Sequence, residues 1–224
     1  SFNIDDYDIE RTPGSAFSGV IVYFCFDALY EYLSAKTTDK IILRIINRAI
    51  KIAHKEINLF RGKIYTHEVG SYFAVWSFEE NMGVNEVPPT WDNLEYKRFL
   101  KQKMQARMEL AFSAIFSAVF KIKIFVREYM HHKHQKVNLK AEYIVGFAIH
   151  AGSGYEGTAG ASDKVDMVIC GADVTLCRKI SELNPGYKSD ILMTEFACEL
   201  LSVETRRQYL HEVDRYLIKG EELS

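Results

Sequence analysis

What this chain lacks narrows it before any motif is sought. Proline and cysteine are both scarce, at four each in 224 residues. Cys25, Cys170, Cys177 and Cys198 lie in apolar surroundings and form no CxxC pair. That pattern predicts free thiols in a reducing compartment, not a disulfide framework or a zinc site. No stretch reaches the ~18 continuous apolar residues of a membrane helix; the nearest, 108–126, is broken by Lys121, Lys123 and serines. Charge of one sign is missing too: 28 basic against 30 acidic side chains leave a net −2. No Lys/Arg run is interleaved with aromatics, which argues against nucleic acid as a partner. A signal peptide is absent, because the chain opens on the acidic SFNIDDYDIER,. The missing initiator Met predicts a piece of a longer protein. Walker, HExxH and GxSxG patterns are absent, as are internal repeats.

What is present is globular, with 48% hydrophobic residues,. Residues 1–18, polar and containing Pro13-Gly14, read as a linker or arm, and 19–224 as one domain. Gly19–Phe26 is apolar on both faces, as a central strand should be. Ala28–Ala35 reads as a short helix. Thr37-Thr38-Asp39 can cap a long amphipathic helix with Ile42, Ile46, Ala49, Ala53 and Ile57 on one face. Two strand-like runs separated by Gly70-Ser71 predict a hairpin over 63–78. Within 81–140 the pattern gives a Pro88-Pro89 loop, then one long helix over Leu94–Tyr129, part of it expected to project or dock. A polar tip with His131, His132 and His134 follows, read as solvated and not as a metal site.

The densest stretch is Tyr143–Lys179. Val145, Phe147 and Ile149 alternate as in a strand. Gly152, Gly154, Gly157 and Gly160 read as a loop between that strand and Met167–Cys170. After Gly171 the period becomes helical, with Val174, Cys177 and Ile180 on one face. Gly152-x-Gly154-x-x-Gly157 matches a dinucleotide fingerprint only on paper, because no helical period starts at its last glycine. Further on, the pattern gives a turn at Asn184-Pro185-Gly186, a strand at Asp190–Met193, short helices at Glu195–Leu201 and Glu204–Leu210, and a last strand at Val213–Ile218. Helices and strands of these lengths predict an α+β domain.

Five segments in order resemble the class III nucleotidyl cyclase catalytic domain. VIVYFCF resembles its first strand and INLFRGKIYTHEVGSYFAVW its helix end and hairpin. VGFAIHAGSGYEGTAG and DMVICGADVTLCRK resemble its glycine-rich and Gly-x-x-Val-Asn segments. DRYLIKGEE resembles its closing strand. The resemblance covers Val20 to about Gly220. It implies a ferredoxin-like α+β fold, with a mostly antiparallel sheet flanked by helices and one long inserted helix. It also implies head-to-tail pairing of two domains around a shared site. There two aspartates hold two Mg²⁺ ions, and phosphoryl transfer relies on positioning and electrostatics.

Carried over by position, the metal aspartates fall on Phe26 and Ser71, with Asp27 one residue away on the opposite strand face. The base-reading pair falls on His67 and Val168. The ribose- and phosphate-orienting pair falls on Thr175 and Lys179, beside Arg178, and a phosphate-contacting lysine on Lys219. A hydroxyl and a phenyl ring cannot replace carboxylates for a hard dication, Val168 cannot read a purine by hydrogen bonding, and Lys179 lacks the arginine fork. The candidate nucleotide-binding residues are therefore His67, Thr175, Lys179 and Lys219, with Thr175 and Lys179 the candidates for catalysis. No metal is expected unless a partner supplies ligands for Mg²⁺ or Mn²⁺. His150 reads as a structural hydrogen-bonder, Glu156 as loop-shaping, and Trp76 and Phe78 as packing or dimer-surface residues.

The expectation is a catalytically degenerate cyclase-homology domain serving as a structural or regulatory module of a signalling assembly. Its alternatives are the non-metal half of a heterodimeric adenylate or guanylate cyclase, and a non-nucleotide ligand held in the remnant cleft. Expected partners are a cyclase-like domain in a homo- or heterodimer, or a scaffold. The resemblance implies a cytoplasmic setting, extending to a cilium or the cytosolic side of a membrane assembly.

Overall fold

The computed structural model describes residues 14–68, 70–78, 93–131, 143–161 and 164–213. Strand β1 (Ser15–Cys25) is the centre of the sheet. From Val20 to Phe24 every side chain is buried, because both faces of the strand are covered,. It begins earlier than expected: Phe17 is buried, so 15–18 belong to the sheet and not to an arm.

Helices α1 (Asp27–Ser34) and α2 (Asp39–Leu59) follow, then the hairpin of β2 (Lys63–Glu68) and β3 (Ser71–Ser77). The long helix is α3 (Asn93–His131), 39 residues and so roughly 58 Å at 1.5 Å per residue,. Its part from Met108 to Met130 is a core element packed on α2, while the part before Met108 has no buried residue among those described. Next come β4 (Gly146–Ala161), β5 (Lys164–Cys170), α4 (Ala172–Ser181), α5 (Asn184–Tyr187), β6 (Ile191–Met193), α6 (Glu195–Glu199) and α7 (Val203–Tyr209). The expected turn at 184–186 is a single helical turn. Buried Asn184 anchors it by donating Nδ2–H to the Phe147 and Ser189 carbonyls at 3.2 and 2.7 Å.

The six-stranded sheet runs β2-β3-β1-β4-β5, antiparallel throughout, with β6 added parallel to β4. One face carries Val20, Val22, Phe24, Trp76, Phe147 and Ile149 against α1, α2 and α3. The other carries Phe17, Ile21, Tyr23, Tyr65, Phe73 and Val75 against Val174, Cys177 and Ile180 of α4. Trp76 packs in the first face with its indole N–H on the Phe60 carbonyl at 2.9 Å, and Phe78 is half-buried beside it.

One expectation is overturned. Gly152, Gly154, Gly157 and Gly160 are not in a loop; they lie within β4, paired first with β1 and then with β5. At Gly152 the cause is close approach: a Cβ there would run into the Asp173 carboxylate of α4. Gly171 is different. Its φ of 141° makes the turn from β5 into α4, a conformation that suits glycine,.

Candidate functional site

The end of β1 and the β2–β3 turn are brought together, since Cys25 pairs with Ser71 in register. This is where the resemblance places two metal aspartates. Phe26 is 2% exposed and packs edge-on against Phe24, with ring centroids 6.1 Å apart. It belongs to the core under α2 and α3. Asp27 is exposed in the first turn of α1, where a carboxylate complements the helix dipole,. Ser71 is 6% exposed, and its buried hydroxyl has no hydrogen-bond partner among the described residues. Burial pushes the Tyr23 phenol up, with Ser71 opposing. Burial, then the Asp27 charge, pushes the Cys25 thiol up to about 11, so it is not a ready thiolate ligand,. Among the described residues no three His, Cys, Asp or Glu side chains converge on a metal position. The donor set does not fit a pair of Mg²⁺ ions, which require several oxygen ligands.

His67 sits on a bulge between Thr66 and Glu68. Its ring meets Tyr23 and Phe73 edge-on at 5.9 and 5.2 Å, and its Nε2 lies 3.8 Å from Glu68 Oε1. Val168 pairs with Gly157 on β5, and its neighbour Ile169 is the residue that packs on the α4-side cluster. Strand alternation therefore turns Val168 away from that cluster. Thr175 is exposed on α4, and its hydroxyl donates to the Gly171 carbonyl at 3.0 Å, closing the helix start. Lys179 is half-buried one turn later, beside Arg178, which is engaged with Glu182 at 3.0 Å. Lys219, His132, His134, the Pro88-Pro89 loop and nearly all of the expected strand 213–218 lie outside the described residues.

Two polar clusters were not legible in the sequence. In the first, the buried His150 ring spans Thr194 Oγ1, 3.1 Å from Nδ1, and Asp173 Oδ1, 3.4 Å from Nε2. Asp173 also accepts from the Ser153 N–H at 2.7 Å and its hydroxyl at 3.2 Å. Thr194 Oγ1 also accepts from the Ala197 N–H, which caps α6. Burial opposes ionisation of Asp173, but the Ser153 and His150 contacts outweigh it and hold the carboxyl below its ordinary value. His150 thus meets α6 through Thr194 and faces α4 through Asp173.

In the second cluster, Glu156 on β4 accepts from the buried Tyr65 phenol and from Lys63 Nζ at 2.9 Å. These hydrogen bonds hold its carboxyl below the usual range. Lys63 and Tyr65 alternate along the outermost strand on one side, yet they reach a strand three positions away in the sheet order. The sheet is therefore strongly curled, and β2 touches β5 across its concave, α4-side face,. Only i,i+2 spacing in β2 hinted at it; the acceptor is 91 residues from Tyr65.

No protein-family model and no curated protein matches the sequence. Solved structures do match in fold. The adenylyl cyclase CyaB from P. aeruginosa superposes with a TM-score of 0.57 at 14% identity, over 84% of this chain and 82% of that one. The catalytic core of a rhodopsin-guanylyl cyclase gives 0.57 at 13% identity, over 93% and 92%. A bacterial light-regulated adenylyl cyclase gives 0.58 at 14% identity, over 89% of this chain and 50% of that one, so this chain spans about half its length. The chain has the fold of a class III adenylyl/guanylyl cyclase catalytic domain.

Proposed function

We propose that this is a catalytically degenerate cyclase-homology domain, acting as a structural or regulatory module in a larger signalling assembly. One observation supports the reading: Phe26, where the resemblance places a metal carboxylate, is packed into the core, and Ser71, where it places the second, pairs with the adjacent Cys25. Without carboxylates at those two positions, no cluster among the described residues would hold two dications on a triphosphate,. Val168 adds to this, with no polar group to read a base. The chain has the fold of a cyclase catalytic domain, which supports a partner-binding role, with a second cyclase-like domain as the proposed partner.

A second reading keeps nucleotide. The fold is similar to a class III adenylyl cyclase-like ATP-binding protein from Pseudomonas aeruginosa, with a TM-score of 0.56 at 13% identity, over 92% of this chain and 40% of that one. Thr175 and Lys179, one turn apart on α4, would then serve ribose and phosphates in a heterodimer whose partner holds both aspartates and the Mg²⁺ or Mn²⁺. Cyclic nucleotide formation from ATP and GTP separates the two. The chain alone, and the chain co-expressed with an aspartate-bearing cyclase domain, should both add nothing to that domain's own rate. A rate increase that Lys179→Ala abolishes would establish the heterodimer and overturn the degenerate reading.

A further inference from the structure

Helix α2 carries charge that its role in the fold does not explain. Its buried side holds Ile42, Ile45, Ala49, Ala53 and Ile57. Opposite them stand Lys40, Arg44, Arg48, Lys51 and Lys55, all exposed and within one ~80° arc of the helix,. They form a row about 22 Å long. The two acids of α2 lie outside that arc: Asp39 in the first turn, and Glu56 on the buried side, where Lys121 and Ser117 hold it. None of the five cations has a side-chain ion pair or hydrogen bond among the described residues, although the Lys55 charge is felt at its neighbour Glu56. Helix α2 is +3 in a chain of net −2, so the remaining residues sum to −5 and the row is not a share of a generally basic surface. Helix stability does not account for it either. Like charges at i,i+3 and i,i+4 weaken a helix, and here each cation has such a neighbour. Lys40 also stands against the dipole in the first turn, while the last turn, where cations help, has none,. A merely solvated face would mix the signs.

We infer that this row on α2 is the docking face for an acidic segment of a partner protein, a run of Asp and Glu in a helix or an extended chain. The guanidinium groups of Arg44 and Arg48 suit carboxylates, which a planar fork grips with two parallel hydrogen bonds. Asn47 and Asn58, exposed on the same side, add neutral hydrogen-bonding groups. A row one helix wide matches a linear partner. A lipid surface matches it less well, because no apolar side chain lies within the arc. The exposed Leu43 and Leu59 flank it on opposite edges, ~160° apart around the helix, so they cannot enter one bilayer together,. Nucleic acid is disfavoured as well, since the row holds no aromatic ring on which a base could stack. The contact requires no nucleotide and stands apart from the choice between the two readings above.

The test is binding of the whole chain to fluorescently labelled poly-L-glutamate, followed by anisotropy at increasing NaCl. Binding at low salt that falls as salt rises is expected. The R44Q/R48Q/K51Q variant should bind roughly tenfold more weakly, the combined effect of three exposed ion pairs lost. K97Q/R98Q/K101Q removes the same charge from exposed positions of α3 and should stay within about twofold of wild type,. Equal losses in the two variants overturn the inference, because net charge alone would then be at work. Failure of the wild type to bind overturns it too. Tighter binding to phosphatidylserine vesicles than to polyglutamate at equal anion concentration also overturns it, in favour of a lipid surface. Relief of like-charge repulsion should leave the thermal unfolding midpoint of R44Q/R48Q/K51Q at or above that of wild type. Should that variant fail to fold, K40Q/K55Q, changed only at the two ends of the row, is read in the same way.

Discussion

Phe26 follows the last residue of β1, and Ser71 opens β3 opposite Cys25; neither side chain is a carboxylate. Restoring one of them should not restore the site. Ser71→Asp places a carboxylate in a buried position within reach of the Asp27 and Glu68 charges felt at Tyr23. Urea denaturation should show a loss of roughly 1–3 kcal/mol, and Mn²⁺ should not recover it while Phe26 remains. His54 of α2 offers a pH test. Its ring lies edge-on to Tyr72, 4.8 Å away, and burial holds its pKa below the ordinary 6.5. A folded pKa lowered in this way contributes stability above pH 6.5, which is lost as pH falls from there through the folded value. The wild-type unfolding midpoint should therefore decline over that range more than that of His54→Phe. At this scale the burial of Phe26 was legible in the sequence, because it continues the apolar run of β1. The Glu156 and Asp173 partnerships were not, because their partners are fixed by tertiary packing.

At the scale of elements, β4 is the instructive case. A strand dense in glycine looks like a loop in sequence, since turns and close approaches both select glycine. Here Gly152 makes room for Asp173, and β4 runs unbroken from Gly146 to Ala161. Gly152→Ala should destabilise the protein by about 1–3 kcal/mol, and Asp173→Ala in the same chain should recover part of that loss, a coupling that a double-mutant cycle measures. The amphipathic α2, the β2–β3 hairpin, α4 and β6 were legible, because each carries a clean period or an unambiguous turn. The bulge at His67 was not. Glu156 clasps the curled sheet. Glu156→Ala should cost about 1–3 kcal/mol in thermal or urea unfolding, and Tyr65→Phe should add little in that background.

At the scale of the whole molecule, the two clusters on either side of the sheet divide the labour. The α1–α2–α3 side is an ordinary core, closed by the buried Glu56 carboxylate on Lys121 at 2.7 Å and Ser117 at 2.8 Å. The α4 side holds Tyr23, Tyr65 and Phe73 buried without any second domain, so the curled face is filled by the chain's own aromatic rings. The fold class was readable from a few short segments taken in order. What the fold adds is that the residues at positions the resemblance assigns to the chemistry are structurally committed: Phe26 to the core, Thr175 to the start of α4, Val168 to the side of β5 away from the α4 cluster. That commitment is the central claim, and isothermal titration of the purified chain with ATP and with GTP, each with Mg²⁺ and with Mn²⁺, tests it most directly. The account predicts no heat of metal-dependent binding for either nucleotide; tight binding of ATP or GTP that disappears on chelation of the metal would contradict it.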